Sequence, residues 1–175
     1  MIKGEKIQLR ALKQSDFEKT IVWRNQPELT KLVLSHPFPI TEALELDWYH
    51  SILNSKDNKS VYFGIDTIQG NLIGLVFLNN INWIHRTCWF HILIGDSSAQ
   101  GKGYGKETMQ LISNYAFNTL NLNKISLEVA TYNLAAIKLY ESTGFIKEGL
   151  LKQHYFVDGQ FIDSIIMSKF KENAQ

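Results

Sequence analysis

The sequence predicts a single mixed α+β domain. Short runs alternate apolar and polar residues between turn residues, as half-buried strands do. Longer stretches repeat apolar residues every three or four positions, the spacing of an amphipathic helix. The two patterns are interleaved without a strict βαβα alternation, which argues for hairpins plus a crossover helix.

A chain of 175 residues suits one domain, 1–175, with room for a real core. Apolar residues are 45% and charged residues 20%, an ordinary globular profile. A formal net charge of +1 provides no field to draw the chain to nucleic acid or a membrane surface. No run of about 18 apolar residues predicts a membrane span. The opening Met1-Ile2-Lys3-Gly4-Glu5-Lys6 lacks the apolar core of a signal peptide, so a cytoplasmic location is expected. Cys88 is the single cysteine, which excludes an intramolecular disulfide and a cysteine-based metal cluster. Among bulky neighbours it is expected to be a buried small hydrophobe.

The elements follow in order. Residues 6–12 alternate as a strand. Ser15 opens a helix to about Asn25, with Glu18 three residues on as a capping box. Pro37 and Pro39 mark an irregular stretch. Thr41 caps a second helix, with Leu44, Trp48 and Ile52 on one stripe. Residues 61–67 and 72–78 are strands around the turn Gln69-Gly70-Asn71. A strand over 86–95 precedes a glycine-rich turn and a helix to about Leu120, with Met109, Ile112 and Ala116 on its apolar face. After a strand over 124–130 comes a helix over 133–142, ended by Gly144. Two last strands, 145–154 and 161–170, flank the turn Asp158-Gly159.

The most informative stretch is Gln100-Gly101-Lys102-Gly103-Tyr104-Gly105-Lys106, between a strand and a helix. The free amides of a first helical turn and the macrodipole favour an anion there, so a phosphate ligand is expected. A dinucleotide fingerprint would need glycine where Lys106 stands. A Walker A loop would need Ser or Thr where Glu107 stands. Gln100, Gly103 and Gly105 instead fit the Gln/Arg-x-x-Gly-x-Gly/Ala pyrophosphate turn of acetyl-CoA-dependent N-acetyltransferases. A second marker is Asn133-Leu134-Ala135-Ala136-Ile137-Lys138-Leu139-Tyr140, leading into Glu141-Ser142-Thr143-Gly144-Phe145. Asn133 and Tyr140 lie about 10.5 Å apart along one helix face, a span that suits an extended pantetheine arm.

With these motifs the chain resembles the GNAT superfamily, from Ile7-Gln8-Leu9-Arg10 to Phe161-Ile162-Asp163. It is most similar to the branch of ribosomal-protein N-terminal, spermidine and nucleotide-linked amino-sugar acetyltransferases. That resemblance implies a central, mostly antiparallel sheet of about six or seven strands, splayed after the fourth, with about four flanking helices. It implies acetyl-CoA as co-substrate, a small-molecule amine acceptor and a homodimer, with no need for a metal.

Site residues follow from the same resemblance. The turn from Gly101 to Gly105 holds the pyrophosphate, with Tyr104 in the turn and with Lys102 and Lys106 adding charge. The backbone of Ile92, Leu93 and Ile94 bonds pantetheine, as do Asn133 and Ala136. Tyr140 protonates the leaving thiolate; a tyrosine pKa near 10 lies close enough to a thiol near 8.5. Polyamine-specific relatives place a carboxylate where this chain has Trp89, and Glu128 is the replacement base or water-orienter. His91 and His85 are further candidates for that role. The acceptor pocket draws on Trp23, Arg24, Asn25, His36, Trp48, Tyr49, His85, Tyr155 and Phe156. The triplet Trp23-Arg24-Asn25 is similar to one in amino-sugar enzymes, and Arg24 suits a nucleotide phosphate. An amino sugar therefore ranks first as acceptor, a polyamine second and a protein N-terminus third. The reading from another class is a non-catalytic acyl-CoA sensor. Tyr140 beside Asn133 stands against it, and the missing carboxylate at Trp89 stands for it.

Overall fold

The structure is a computed structural model and describes residues 1–34 and 38–172. Eight strands form one sheet in the order β1-β2-β3-β4-β5-β6-β8-β7. They are β1 (Ile2–Lys3), β2 (Ile7–Arg10), β3 (Val61–Thr67), β4 (Leu72–Asn82), β5 (Thr87–Ile94), β6 (Lys124–Ala130), β7 (Ile146–Val157) and β8 (Gln160–Phe170). Every neighbouring pair is antiparallel except β5 and β6. The helices are α1 (Phe17–Arg24), α2 (Pro27–Leu32), α3 (Glu42–Leu53), α4 (Tyr104–Asn114) and α5 (Leu134–Ser142), and a π-helical turn over Tyr115–Thr119 extends α4.

The expected mixed, mostly antiparallel architecture is present, with one more strand and one more helix than the pattern predicted. The extra strand, β1, has two residues, too few for alternation to register. The extra helix, α2, has six, with Pro27 at its first turn, where a missing N–H costs nothing.

Side chains alternate across the sheet and build two layers. One face packs Phe90, Ile125, Leu127 and Val129 against Met109, Ile112 and Ala116 of α4 and its extension, and Ile137 of α5. The other face is covered by α1, α2 and α3, where Leu75 meets Leu12 and Tyr49, and Leu72 meets Trp23 and Leu29. On α3 the Thr41 cap forms as expected, its hydroxyl accepting from the Leu44 amide at 3.3 Å. The buried stripe differs from the expected one. Leu44 is exposed, while Glu45 and Tyr49 have no exposed surface, because Arg24 and Thr20 give Glu45 polar partners inside. The Ser15 capping box is also absent. Asp16 takes the start of α1 instead, its carboxylate accepting from the Lys13 amide at 2.8 Å and from Arg10 at 2.8 and 2.9 Å.

The sheet opens where function needs room. The parallel ladder pairs Thr87 with Lys124, Cys88 with Ile125 and Trp89 with Ser126, then stops. Beyond it β5 stays bound to β4 through Gly74–Ile94, and β6 to β8 through Ala130–Ser164. The two strands therefore diverge as rigid edges, and the splay falls after the fourth strand counted from β2.

Candidate active site

The glycine turn enters α4 with Gly101 at φ 72° and Gly103 at φ 82°, backbone that favours glycine. Gly103 is the residue that precedes the helix, and the first amide to bond back belongs to Glu107, 3.2 Å from the Gly103 carbonyl. The amides of Tyr104, Gly105 and Lys106 are left as donors for an anion at the positive end of the helix. A Cβ on Gly105 would lie 3.3 Å from Leu139, so glycine lets α4 approach α5 closely. Glu107 accepts from the Lys6 amide at 3.0 Å and from the Glu5 amide, which pins the β1–β2 turn beside this helix start.

Above the turn lies a pocket of about 350 Å³ walled by Gln100, Gly101, Gly103, Tyr104, Gly105 and Lys106. It shares Ile94, Gln100 and Gly105 with a cleft of about 250 Å³ lined by Ile92, Leu93, Asn133, Ala136 and Tyr140. The two form one channel from the helix N-terminus into the splay. Lys102 does not line it and stays exposed.

Tyr140 sits at the inner end of that channel. It is 9% exposed and packs edge-on to Phe90 at 6.5 Å and tilted to Phe145 at 6.1 Å. Burial pushes its phenol up to about 12. Among the described residues no side chain hydrogen-bonds its hydroxyl. Asn133 caps α5, its Oδ1 accepting from the Ala136 amide at 3.2 Å. Its Nδ2 donates to the Leu32 carbonyl at 3.4 Å, and the Tyr132 hydroxyl to the Lys31 carbonyl at 2.6 Å. The start of α5 is thereby tied to the end of α2.

On the other side of Ile92 and Leu93 a cavity of about 270 Å³ is lined by Trp23, Arg24, Trp48, Phe77 and His91. Trp23 is set against bare backbone, since a Cβ on Gly95 would lie 2.0 Å from its ring. A wider cavity of about 710 Å³ continues past Arg24, Asn25 and Lys31 to Phe38, Tyr155 and Phe156. A donor channel and an acceptor channel thus meet across two residues of β5.

Several expected acceptor residues have other work. The Arg24 guanidinium pairs with Glu45 and lies 4.4 Å over the Trp48 ring, while it still lines both acceptor-side cavities. The Asn25 side chain bonds the Ile40 amide at 2.8 Å and the Ile40 carbonyl at 2.9 Å, stapling α1 to the chain before α3. His85 stands on the exposed turn between β4 and β5, at the end of β5 remote from Ile92. His36 lies outside the described residues. Glu128 is held by the Ser164 hydroxyl, and His154 Nε2 lies 3.9 Å from its carboxylate.

Two features of the site had weak sequence signals. The α2 segment walls both channels with Leu29 and Val33. Only Pro27 after Gln26 marked it. His91 lies flat on Phe77, with ring centroids 4.6 Å apart and 13° between planes. Its ring is open to the cavity, yet the walls displace enough water to hold its pKa below 6.5, and Glu128 partly offsets that.

Known proteins share this architecture. Residues 9–166 match the family model described as an acetyltransferase (GNAT) domain. The chain is 34% identical over 176 residues to a spermidine N(1)-acetyltransferase of Vibrio cholerae, covering 98% of this chain and 99% of that protein. The crystal structure of spermidine N-acetyltransferase from Vibrio cholerae in complex with CoA and spermine superposes with a TM-score of 0.88 at 33% identity, over 94% of this chain and 95% of that one. A dodecameric structure of the Vibrio cholerae spermidine N-acetyltransferase gives a TM-score of 0.79 at 34% identity, over 94% of each chain. With its glycine turn, splayed sheet and buried tyrosine, the chain belongs to the GNAT family and is an N-acetyltransferase that uses acetyl-CoA.

Proposed function

We propose that the chain acetylates a primary amine of a small polyamine by direct transfer at the junction of the two channels. The observation that carries the acceptor class is the 34% identity to a spermidine N(1)-acetyltransferase across nearly the whole length of both chains. This reading is placed ahead of the amino sugar that the Trp23-Arg24-Asn25 triplet had put first, because the relatives that support it match along nearly the whole chain.

The amides of Tyr104, Gly105 and Lys106 hold the pyrophosphate, with Gln100 and Lys106 beside it. The pantetheine arm runs along Ile92, Leu93 and Ile94 on one side and Asn133 and Ala136 on the other. A backbone N–H of the opened β5 edge stabilises the oxygen that gains charge as the amine attacks. Tyr140 gives its proton to the departing sulfur. Its phenol near 12 is no obstacle, because the same desolvation acts on a thiol. Glu128, held by the Ser164 hydroxyl on the other lip of the opening, supplies the negative charge that assists removal of the amine's proton. Self-association is proposed as well, supported by the dodecameric relative.

A second reading keeps the amino sugar. The observation that favours it is the pairing of acceptor-side carboxylates. Glu45 is taken by Arg24 and Asp158 by Lys31 at 2.7 Å, so neither of these two carboxylates is free to meet a polycation. Release of free thiol from acetyl-CoA, measured with spermidine, nucleotide-linked amino sugars and a ribosomal-protein peptide, decides between them. Spermidine turning over best supports the first reading. An amino sugar doing so supports the second. No release with any acceptor, while acetyl-CoA still binds, overturns both and leaves an acyl-CoA sensor.

A further inference from the structure

His91 and Glu128 stand opposite each other across the opening of the sheet. The parallel ladder ends at Trp89 and Ser126. Carried two residues further, the same register sets His91 of β5 against Glu128 of β6. Side chains two residues apart on a strand share a face. Both residues therefore face the side of the sheet covered by α1 and α3, one on each lip of the opening. Each lip is fixed from behind, by the pair Phe77–His91 on one side and Glu128–Ile166 on the other.

The two groups differ in what they are free to do. Glu128 is bound by Ser164 and has His154 at 3.9 Å. It does not line the cavity that meets the Tyr140 cleft. His91 does line it, beside Ile92 and Leu93, the β5 residues that both cavities share. Among the described residues neither imidazole nitrogen has a hydrogen-bond partner. The stack on Phe77 sets the ring plane without occupying a nitrogen.

We propose that His91 is the catalytic base that takes the proton of the acceptor amine, with Glu128 across the opening stabilising the imidazolium that results. The inference rests on the reading of this junction as a site of transfer to an amine. In the step, neutral His91 removes one proton from the acceptor's ammonium. The freed nitrogen attacks the thioester carbonyl, so a C–N bond forms and the C–S bond breaks. Sulfur leaves with the bonding electron pair and takes the Tyr140 proton. The nitrogen's second proton returns to Tyr140, and His91 passes its own to solvent, so each turnover releases one proton.

The surroundings suit this. The charged and titratable groups that face His91 are Arg24 from α1 and Glu128 from β6, with His154 and Tyr155 of β7 behind Glu128. From α3 and β4 it meets Trp48 and Phe77, and Arg24 is itself neutralised by Glu45 of α3. The cavity walls lower the His91 pKa from its ordinary value by desolvation, which favours the neutral ring, and the Glu128 carboxylate acts in the opposite direction.

The test is the pH dependence of kcat/KM for wild type, His91→Gln and His91→Ala, with the best acceptor of the panel. His91→Gln is expected to lower kcat roughly 100-fold with the acetyl-CoA KM unchanged. The acidic limb of the wild-type profile, lost as pH falls through the histidine range, is expected to be absent from it. Added imidazole is expected to restore part of the activity of His91→Ala, which a merely structural role would not allow. Melting curves and CoA titration establish that each variant is folded. If His91→Gln kept full kcat/KM and an unshifted acidic limb, His91 would not be the base. Wild type inactive on every amine would instead overturn the reading on which the inference rests.

Discussion

Gly95 at the end of β5 lies directly under the indole of Trp23 on α1, so closely that a Cβ there would be 2.0 Å from the ring. The contact fixes one wall of the acceptor cavity. Gly95→Ala must push Trp23 outward, at a cost of about 1–3 kcal/mol by the usual range for overpacking. The expected kinetic result is a raised KM for the acceptor with the acetyl-CoA KM nearly unchanged. Thermal melting and a two-substrate kinetic matrix check both parts.

The glycine turn gives the opposite split. Gly103 has φ 82°, and its added Cβ would meet only the tip of Lys6 at 3.7 Å, so the penalty is backbone strain and not a clash. Gly103→Ala is expected to cost about 1–2 kcal/mol. It should raise the acetyl-CoA KM several-fold by tilting the amides of Tyr104 to Lys106, leaving the acceptor KM alone. Titration with CoA by calorimetry reads this directly.

Arg24 and Glu45 form a pair with Glu45 wholly inside the protein. Removing Arg24 alone strands a buried carboxylate, so Arg24→Met is expected to destabilise by about 3–5 kcal/mol. The double variant Arg24→Met/Glu45→Met should be less destabilised than Arg24→Met alone. Urea unfolding of the four members of the cycle measures the coupling.

These three sites show what could be read in the chain and what could not. Strands and turns were legible because alternation and glycine are local signals. Asp158 and Gly159, at φ 49° and 80°, form the hairpin turn that their identity implies. Thr41 was legible as a cap for the same reason. Partnerships across the fold were not. Asp16 replaces Ser15 at the start of α1 because Arg10 reaches it from β2, and Arg10 also holds Asp66 at 2.7 Å. Glu45 displaces Leu44 from the buried stripe because Arg24 lies one helix away. The facing of His91 and Glu128 depends on where a parallel ladder stops, and no periodicity in either strand records that.

Cys88 provides a check on the core and a convenience for assay. Burial pushes its thiol up to about 12, so at pH 8 almost none of it is thiolate. The native protein is expected to show no reaction with an aromatic disulfide reagent over minutes, and one thiol per chain after denaturation. A fast native reaction would mean that the sheet opens near β5.

The central claim is that Tyr140 is the acid at the meeting point of the two channels. The steady-state rate of thiol release by Tyr140→Phe, with saturating acetyl-CoA and acceptor, tests it most directly. Phenylalanine keeps the packing on Phe90 and Phe145 and removes only the hydroxyl. The account predicts a fall in kcat of roughly 100-fold or more with an unchanged acetyl-CoA KM. Unchanged turnover by a folded Tyr140→Phe protein would contradict it.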